Sequence, residues 1–208
     1  MILTLSPDRF QDLDIIALAN TGLIASCILY PGEATAQNYA TYCEKWVPKI
    51  QATDIAALIA DDTQVLGRSG ADGLMITENA ASLSEAIKKF SPKHIIGCGG
   101  LKTRDAAMIA GESKPDFVFF GSPGDGKRKK PHPKDFEIAE WWSGVIEIPC
   151  VMMAGNTIDS VMDCARTGAD FIAIESVLFS DDAEPVAILQ ELNARLDAEA
   201  PRFEEANA

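Results

Sequence analysis

Eight short, almost continuously apolar runs recur along the sequence, and a longer amphipathic stretch separates each run from the next. The runs are too short for buried helices, and several are rich in β-branched or aromatic residues, which favours strands covered on both faces, as in a parallel sheet. They are MILTL (1–5), LIASCILY (23–30), DIAALIA (54–60), DGLMI (72–76), HIIGC (94–98), DFVFFG (116–121), PCVMMAG (149–155) and DFIAIES (170–176).

The stretches between the runs predict helices, several of which begin at an N-cap signal such as Thr103, Asp135 or Thr157. Strict alternation of eight strands and eight helices predicts a (β/α)8 TIM barrel formed by residues 1–198, followed by a frayed acidic tail, 199–208. A doubly wound open sheet is the main alternative, but no Gly-rich turn follows the first strand. The predicted helices cover 8–20, 35–51, 63–69, 81–90, 103–111, 135–144, 157–167 and 184–198.

Charge and composition narrow the class of protein. The 208 residues include 31 acidic and 18 basic side chains, a net charge of −13 that repels nucleic acid. The absence of an apolar run of eighteen residues and of a basic-then-apolar leader predicts a soluble, cytoplasmic protein that does not bind membranes. Five cysteines without C-x-x-C spacing predict neither a disulfide framework nor a zinc site. The sequence leaves open whether the chain forms a homo-oligomer.

A weak internal repeat connects three helix ends to the strands that follow them. SGADGLMI (69–76), KPDFVFFG (114–121) and TGADFIAI (167–174) each pass through an Asp into a strand. We expect the Gly to end the helix and the Asp to bond backbone N–H groups within the turn. The repeat therefore predicts where strands begin and gives no information about activity.

The loops after the last two strands predict a phosphate site. In barrels of this kind the active site lies at the carboxyl ends of the strands, and phosphate is held by the loops after strands seven and eight. Gly155 and Asn156 follow the seventh run, while Glu175 and Ser176 end the eighth. A tight turn at Gly155 and a helix cap at Ser176 are the structural alternatives, but their shared position favours phosphate binding.

A long basic loop follows the sixth run. Fourteen residues, 122–135, separate the run from the predicted helix, well above the usual βα length, and they include the four consecutive cations 127–130. A solvated charge run is the common reading of such a segment. Its position at the carboxyl end of a strand in an acidic protein favours an anion-binding lid. The predicted substrate-binding residues of this region are Gly121, Lys127, Arg128 and Lys129.

Carboxylates follow the third and fourth runs. Asp61 and Asp62 are adjacent at the end of the third, and Glu78 comes shortly after the fourth. Because Mg²⁺ prefers a few carboxylates together with substrate phosphate oxygens, these three residues predict a magnesium site. Capping of the helices that follow is the structural alternative.

In the order and spacing of these motifs, residues 23–196 resemble the thiamine phosphate synthase family and its sister thiazole tautomerases. The resemblance rests on LIADDTQVLGRSGADGLMI, HIIGCGG, FVFFGSPGDGKRKK, PCVMMAGN and TGADFIAIESVLF. It implies a transferase that joins a hydroxymethylpyrimidine diphosphate to a thiazole phosphate and expels diphosphate with Mg²⁺. It also implies a metal ligand at Asp61, a diphosphate-binding lysine at Lys129, phosphate-binding residues at Gly155 and Ser176, and a substrate position at Gly99.

Several family positions carry other residues here. Ala80 stands where a second metal-binding Asp is expected, Gly126 and Arg128 stand at two threonines, and Tyr30 stands at an arginine. Ser122 replaces the His expected of a tautomerase, which disfavours that branch. We expect a synthase acting on phosphorylated small molecules. A catalytically inactive binder of a phosphorylated metabolite and a different (β/α)8 enzyme stay open as alternatives.

Overall fold

The computed structural model describes residues 1–10, 14–124, 128–179 and 184–201. Within them, eight strands alternate with eight α-helices, and a short 3-10 helix, Ser176–Phe179, follows the last strand. The strands are β1 (Ile2–Leu5), β2 (Ser26–Leu29), β3 (Ala56–Ala60), β4 (Gly73–Ile76), β5 (Ile95–Cys98), β6 (Phe117–Phe120), β7 (Cys150–Met153) and β8 (Phe171–Ile174). The helices are α1 (Ile15–Ala19), α2 (Ala36–Gln51), α3 (Thr63–Ser69), α4 (Ala80–Phe90), α5 (Arg104–Glu112), α6 (Pro133–Val145), α7 (Ile158–Ala165) and α8 (Pro185–Glu199).

The strands close into a barrel in sequence order. All neighbouring pairs are parallel, and the barrel closes where Leu3 of β1 lies opposite Ile174 of β8. The predicted (β/α)8 barrel is therefore confirmed, and the open sheet is excluded. Because every strand runs the same way, all eight carboxyl ends gather at one end of the barrel, which we call the mouth.

Both faces of the strands are buried. In β6, Phe117 and Phe119 belong to the cluster that fills the barrel interior, whereas Val118 and Phe120 belong to the layer between strands and helices. In that outer layer the Phe120 ring packs edge-on against Trp142 of α6, with ring centroids 5.8 Å apart. Burial on two faces explains why the strand runs are apolar without alternation.

Two of the predicted helix caps are confirmed. Thr103 Oγ1 accepts a hydrogen bond from the backbone N–H of Ala106 at 3.1 Å, and Thr157 Oγ1 accepts one from Ser160 at 3.2 Å. A hydroxyl at this position satisfies one of the N–H groups that lack a partner in the first turn of a helix. Both helices therefore begin where the sequence placed them.

Two predicted helix starts are wrong. The N-cap of α6 is His132, and Pro133 occupies the first helical position, so Asp135 lies buried inside the first turn. Proline suits that position because its fixed φ matches a helix and its missing N–H costs nothing there. The predicted helix 8–20 is shortened to α1, because Asp14 caps its first turn. Residues 11–13, part of that prediction, lie outside the described residues.

The repeated Asp residues act between strands. Asp72, Asp116 and Asp170 lie just before β4, β6 and β8. Each carboxylate accepts a hydrogen bond of 2.7–2.8 Å from a backbone N–H near the start of the neighbouring strand, which is β3, β5 or β7. The prediction that they bond within their own turns was wrong, because each carboxylate reaches sideways to the neighbouring strand. The N–H groups that donate to the three Asp side chains are those of Ala57, Ile96 and Cys150. The other part of the prediction holds for the first repeat, where Gly70 ends α3 with a left-handed φ of 71°.

The five cysteines are all free and buried. Burial raises the pKa of Cys98 to about 11 and that of Cys27 to about 12, so the thiols stay protonated at neutral pH. They act as small apolar groups of the core. Among the described helices, none is both long and apolar enough to cross a bilayer. The last helix ends at Glu199, and residues 202–208 of the predicted tail lie outside the described part of the chain.

Replacing Asp170 with Ala tests the link between strands. We expect Asp170→Ala to lower the free energy of unfolding by about 1–3 kcal/mol, since it leaves the Cys150 N–H without its acceptor. Urea titration measures the change. Asp170→Asn is the control, because its amide oxygen still accepts the hydrogen bond, and it should retain most of the stability. Equal losses in the two variants would contradict this role.

Candidate functional site

A cavity of about 330 Å³ opens at the mouth on the side formed by β2 to β6. Sites of this kind bury most of a small ligand against apolar walls and orient it with a few polar groups. The lining residues are Tyr30, Pro31, Gly32, Ala60, Asp61, Met75, Thr77, Gly99, Gly100, Phe119, Gly121, Ser122 and Pro123. We call this space the mouth cavity.

The mouth cavity combines an apolar floor with a polar rim. Met75 and Phe119 belong to the buried cluster inside the barrel. Asp61 and Ser122 place a carboxylate and a hydroxyl among the residues that line the same space. Such a lining can hold a small ligand that has both an apolar surface and polar groups. Two predicted substrate positions, Gly99 and Gly121, line it as well.

The Asp61 carboxylate is held by the end of the next strand. Oδ1 accepts a hydrogen bond from the Thr77 backbone N–H at 2.6 Å, and Oδ2 accepts one from Thr77 Oγ1. The backbone of Asp61 is left-handed, with φ of 57°, at the point where the chain leaves β3. Two donors to one carboxylate fix its orientation at the cavity wall. Thr77 is therefore a positioning residue for Asp61.

The three predicted metal ligands do not form a cluster. Asp62 caps α3, and its Oδ1 accepts hydrogen bonds from Gln64 and Val65, both at 2.9 Å. Glu78 is exposed and accepts from Ser82 Oγ at 3.0 Å. Among the described residues, no group of three or more His, Cys, Asp or Glu side chains is arranged to hold a metal ion. Of these three residues, Asp61 is the one that lines the mouth cavity.

Glu175 is fully buried at the mouth and collects four donors. Its carboxylate accepts hydrogen bonds from Tyr30 Oη and the Gly124 N–H, both at 2.9 Å, from Thr4 Oγ1 at 3.2 Å, and from the Arg9 guanidinium. Burial raises the pKa of Tyr30, which keeps its hydroxyl protonated as a donor at neutral pH. With four donors against it, one of them the cationic Arg9, this carboxylate links the loops of the rim and is not available to contact a phosphate.

Arg9 connects Glu175 to the predicted phosphate residue Ser176. The guanidinium forms an ion pair with Glu175 and also donates to Ser176 Oγ, while its side chain stays 19% exposed. A guanidinium carries five donors in a planar fork, so two contacts leave capacity for an anion. Ser176 Oγ and the Arg9 guanidinium thus lie side by side on the rim between β1 and β8.

The turn after β7 is filled by the basic loop itself. The Asn156 N–H donates to the Arg128 carbonyl at 2.8 Å, and Thr157 Oγ1 donates to the Lys129 carbonyl at 3.4 Å. A Cβ on Gly155 would lie 2.5 Å from that Lys129 carbonyl oxygen, so this position must be glycine for the loop to pack. The close approach predicted at Gly155 exists, but its partner is backbone.

The three described cations of the basic loop, Arg128, Lys129 and Lys130, lie apart. Lys127 lies outside the described residues. Lys130 pairs with Asp163 of α7 at 3.0 Å, on the outer surface. Arg128 lines a second cavity beside the mouth, and Lys129 is exposed at the rim and lines neither cavity. The three described charges therefore do not form one cluster.

Sequence reasoning missed Arg9, Tyr30 and Thr77 as site residues. Each lies within four residues of the carboxyl end of a strand, and that position was the available signal. Arg9 was hidden because the sequence placed it inside the predicted helix 8–20. Tyr30 was noted only as a departure from a family arginine, although its hydroxyl binds Glu175 in the structure.

Comparison with known proteins places this geometry in a family. The chain is 32% identical over 147 residues to the thiamine-phosphate synthase of Rhodospirillum centenum, covering 70% of this chain and 71% of that protein. It is 34% identical over 134 residues to that of Erythrobacter litoralis, covering 63% of each. The solved thiamine phosphate pyrophosphorylase from Pyrococcus furiosus shares the fold, with a TM-score of 0.71 and 17% identity over 92% of this chain and 96% of that one. A family model described as thiamine monophosphate synthase matches residues 5–178, and the chain therefore belongs to the thiamine monophosphate synthase family.

Proposed function

We propose that this protein joins a hydroxymethylpyrimidine diphosphate to a thiazole phosphate and releases diphosphate. The observation that carries the proposal is the mouth cavity, which combines an apolar floor and the fixed Asp61 carboxylate in a chain of this family. The relatives named thiamine-phosphate synthase support the same reaction. Substitution with loss of diphosphate needs stabilisation of the leaving charge more than it needs a general base.

In this proposal the pyrimidine ring lies on the floor of the mouth cavity. Met75 and Phe119 provide the apolar surface, and Tyr30 and Ser122 lie on the rim above it. A ring placed there has Asp61 on one wall. The polar rim would then orient the ring substituents, while the walls exclude water from the reacting carbon.

The single carboxylate of Asp61 is compatible with a magnesium ion that is also bound by the substrate. Mg²⁺ is commonly bound by one or two carboxylates together with substrate phosphates and water. An ionised carboxylate offers about four lone pairs, and Thr77 occupies two of those of Asp61, so acceptor capacity is left for a metal. When bound there, Mg²⁺ would offset the charge of the departing diphosphate. Asp62 and Glu78 have no part in this assignment.

The phosphate of the second substrate is proposed to bind Arg9 and Ser176. Glu175 holds the guanidinium in place from below, and thus acts as a positioning residue for the anion site. The turn at Gly155 is a poorer site, because the carbonyl oxygens of residues 128 and 129 face it and would repel a phosphate. Lys129, at the exposed rim, stays a candidate for the diphosphate.

A catalytically inactive binding protein is the second candidate. It is favoured by the lack of a three-carboxylate group among the described residues and by Ala80 at the position of the family's second metal ligand. Such a protein would bind the phosphorylated ligands at the same mouth without turnover. Product formation separates the two candidates.

Turnover of both substrates with Mg²⁺ tests the synthase. We expect thiamine phosphate from the wild type and a loss of roughly a hundredfold in kcat for Asp61→Asn, because the leaving charge loses its stabilising carboxylate–metal contact. Chromatographic detection of the product measures both rates. Asp62→Asn is the matched control, since Asn also caps helices well, and it should stay within about twofold of the wild type. Absence of product from the wild type would favour the binding protein instead.

Removing the Glu175 carboxylate tests its positioning role. We expect Glu175→Ala to lower the free energy of unfolding by about 3 kcal/mol, because the Arg9 guanidinium and three further donors lose their partner. Glu175→Gln should lose less, since its amide oxygen still accepts, and it should raise the KM for thiazole phosphate more than it lowers kcat. Denaturant unfolding and steady-state kinetics measure these effects.

Glu199→Ala provides the comparison for Glu175. Glu199 also pairs with arginines, at 2.9 Å and 3.2 Å, but on the exposed surface of α8, where solvent screens the pairing. Its removal should change the stability far less and leave the KM unaltered. If Glu175→Ala were as stable as Glu199→Ala, the network at the rim would not hold the site together.

A further inference from the structure

The fifth strand and its end carry two glycines whose missing side chains face the barrel interior. Ile96 and Cys98 of β5 pack in the layer between strands and helices. Because side chains alternate along a strand, Gly97 and Gly99 face the opposite way, into the barrel. Each of these glycines leaves a gap at the place where another residue would have its Cβ.

The gap at Gly97, deeper in the barrel, is filled, whereas the gap at Gly99 is not. A Cβ on Gly97 would overlap the ring of Phe117, so this ring occupies the space that the glycine leaves. A Cβ on Gly99 would meet its nearest described atom, apart from its chain neighbours, at 3.2 Å. Gly99 also lines the mouth cavity, so its gap opens into that space. We call this gap the Gly99 notch.

Backbone geometry explains the other glycines of the mouth cavity but not Gly99. Gly32, Gly100 and Gly121 have positive φ values of 57°, 72° and 88°, and a Cβ on any of them would lie 2.8 Å or less from a neighbouring atom. These three positions must be glycine for the chain to fold as it does. Gly99 lies outside that region of φ and has no contact as short. The fold therefore does not account for the missing side chain at residue 99.

The walls of the Gly99 notch are apolar. The atoms nearest to the position of the missing Cβ are Thr77 Cγ2 at 3.2 Å, Met75 Sδ at 3.5 Å and Phe119 Cβ at 3.7 Å. A methyl group of a ligand at this position would contact all three. A hydroxyl or a charged group would lose its water and find no hydrogen-bond partner among these atoms. The notch therefore favours a small alkyl group over a polar one.

We infer that Gly99 determines which ring substituent the mouth cavity accepts, and that it selects a methyl group. The identity of the ring rests on the proposed function, whereas the notch depends only on Gly99 and the three side chains around it. The reacting carbon and its diphosphate have to face the open rim. The opposite edge of the ring then lies deepest in the cavity, next to Met75 and Phe119, and its substituent enters the Gly99 notch.

Binding of two hydroxymethylpyrimidines to the full chain tests the inference by calorimetry. The compounds differ only at the ring carbon opposite the hydroxymethyl group, which carries hydrogen in one and methyl in the other. We expect the wild type to bind the methyl compound about fourfold more tightly, since the free energy of burying one carbon corresponds to about that factor. Equal affinities of the wild type for the two compounds would overturn the inference.

Gly99→Ala places a methyl group of the protein in the notch. We expect the variant to bind the methyl compound about tenfold more weakly than the wild type, because two methyl groups compete for one space, and the hydrogen compound within about twofold. The closest wall atom belongs to a side-chain methyl group that can shift slightly, so the variant should fold. The matched control is Gly67→Ala in α3, where a Cβ has no neighbour within 4 Å, and it should change neither affinity. Urea unfolding checks both variants.

A purely structural role of Gly99 gives a different result. If Gly99→Ala weakened the binding of both compounds equally, or of neither, the inference would be wrong. A wild type that binds neither compound would contradict the inference and also the proposed position of the pyrimidine. A methyl preference that disappears in Gly99→Ala, in a chain that forms no thiamine phosphate, would contradict the proposed reaction and leave the role of Gly99 intact. Formation of thiamine phosphate without a methyl preference would do the reverse.

Discussion

The arrangement of the loops at the mouth of this barrel depends on one buried carboxylate, that of Glu175. Glu175 follows β8, and its donors come from three other parts of the chain: the first strand and its loop, the end of β2, and the loop after β6. A charge with no exposed surface is tolerated only when it is paired and fully hydrogen-bonded, as here. The interaction that satisfies Glu175 therefore also fixes where Arg9 and Tyr30 lie.

This arrangement divides the rim into two unequal halves. After β7, the turn that was predicted to receive a phosphate is occupied by the chain itself, because the carbonyls of residues 128 and 129 lie against Gly155 and Asn156. From β2 to β6 the rim is open and forms the mouth cavity. This division is the reason why the two proposed substrate positions lie apart, one in the mouth cavity and the other at Arg9 and Ser176.

The fold was predictable because its signal is repeated. Eight apolar runs separated by capped helices each indicate the same architecture, so the misplaced helix starts at residues 8 and 135 did not alter the predicted barrel. The site was predictable only in position. Strand ends identified Asp61, Gly99 and Gly121, which line the mouth cavity, but the partners of each side chain depend on the tertiary fold.

Residues of one type take different roles for that reason. Asp61 and Asp62 are neighbours in sequence, yet one binds Thr77 across the rim and the other caps its own helix. Glu175 was predicted to contact phosphate because of its place after β8, and nothing local indicated that Arg9, 166 residues away, would neutralise it. Long-range pairing of this kind has no signature in a single sequence.

The most direct test of this account is a crystal structure with a hydroxymethylpyrimidine and thiazole phosphate bound together. The account predicts the pyrimidine ring on Met75 and Phe119 within the mouth cavity, with the thiazole phosphate against Arg9 and Ser176. A pyrimidine bound elsewhere on the barrel, or a phosphate seated at Gly155 after displacement of the 128–129 backbone, would contradict it.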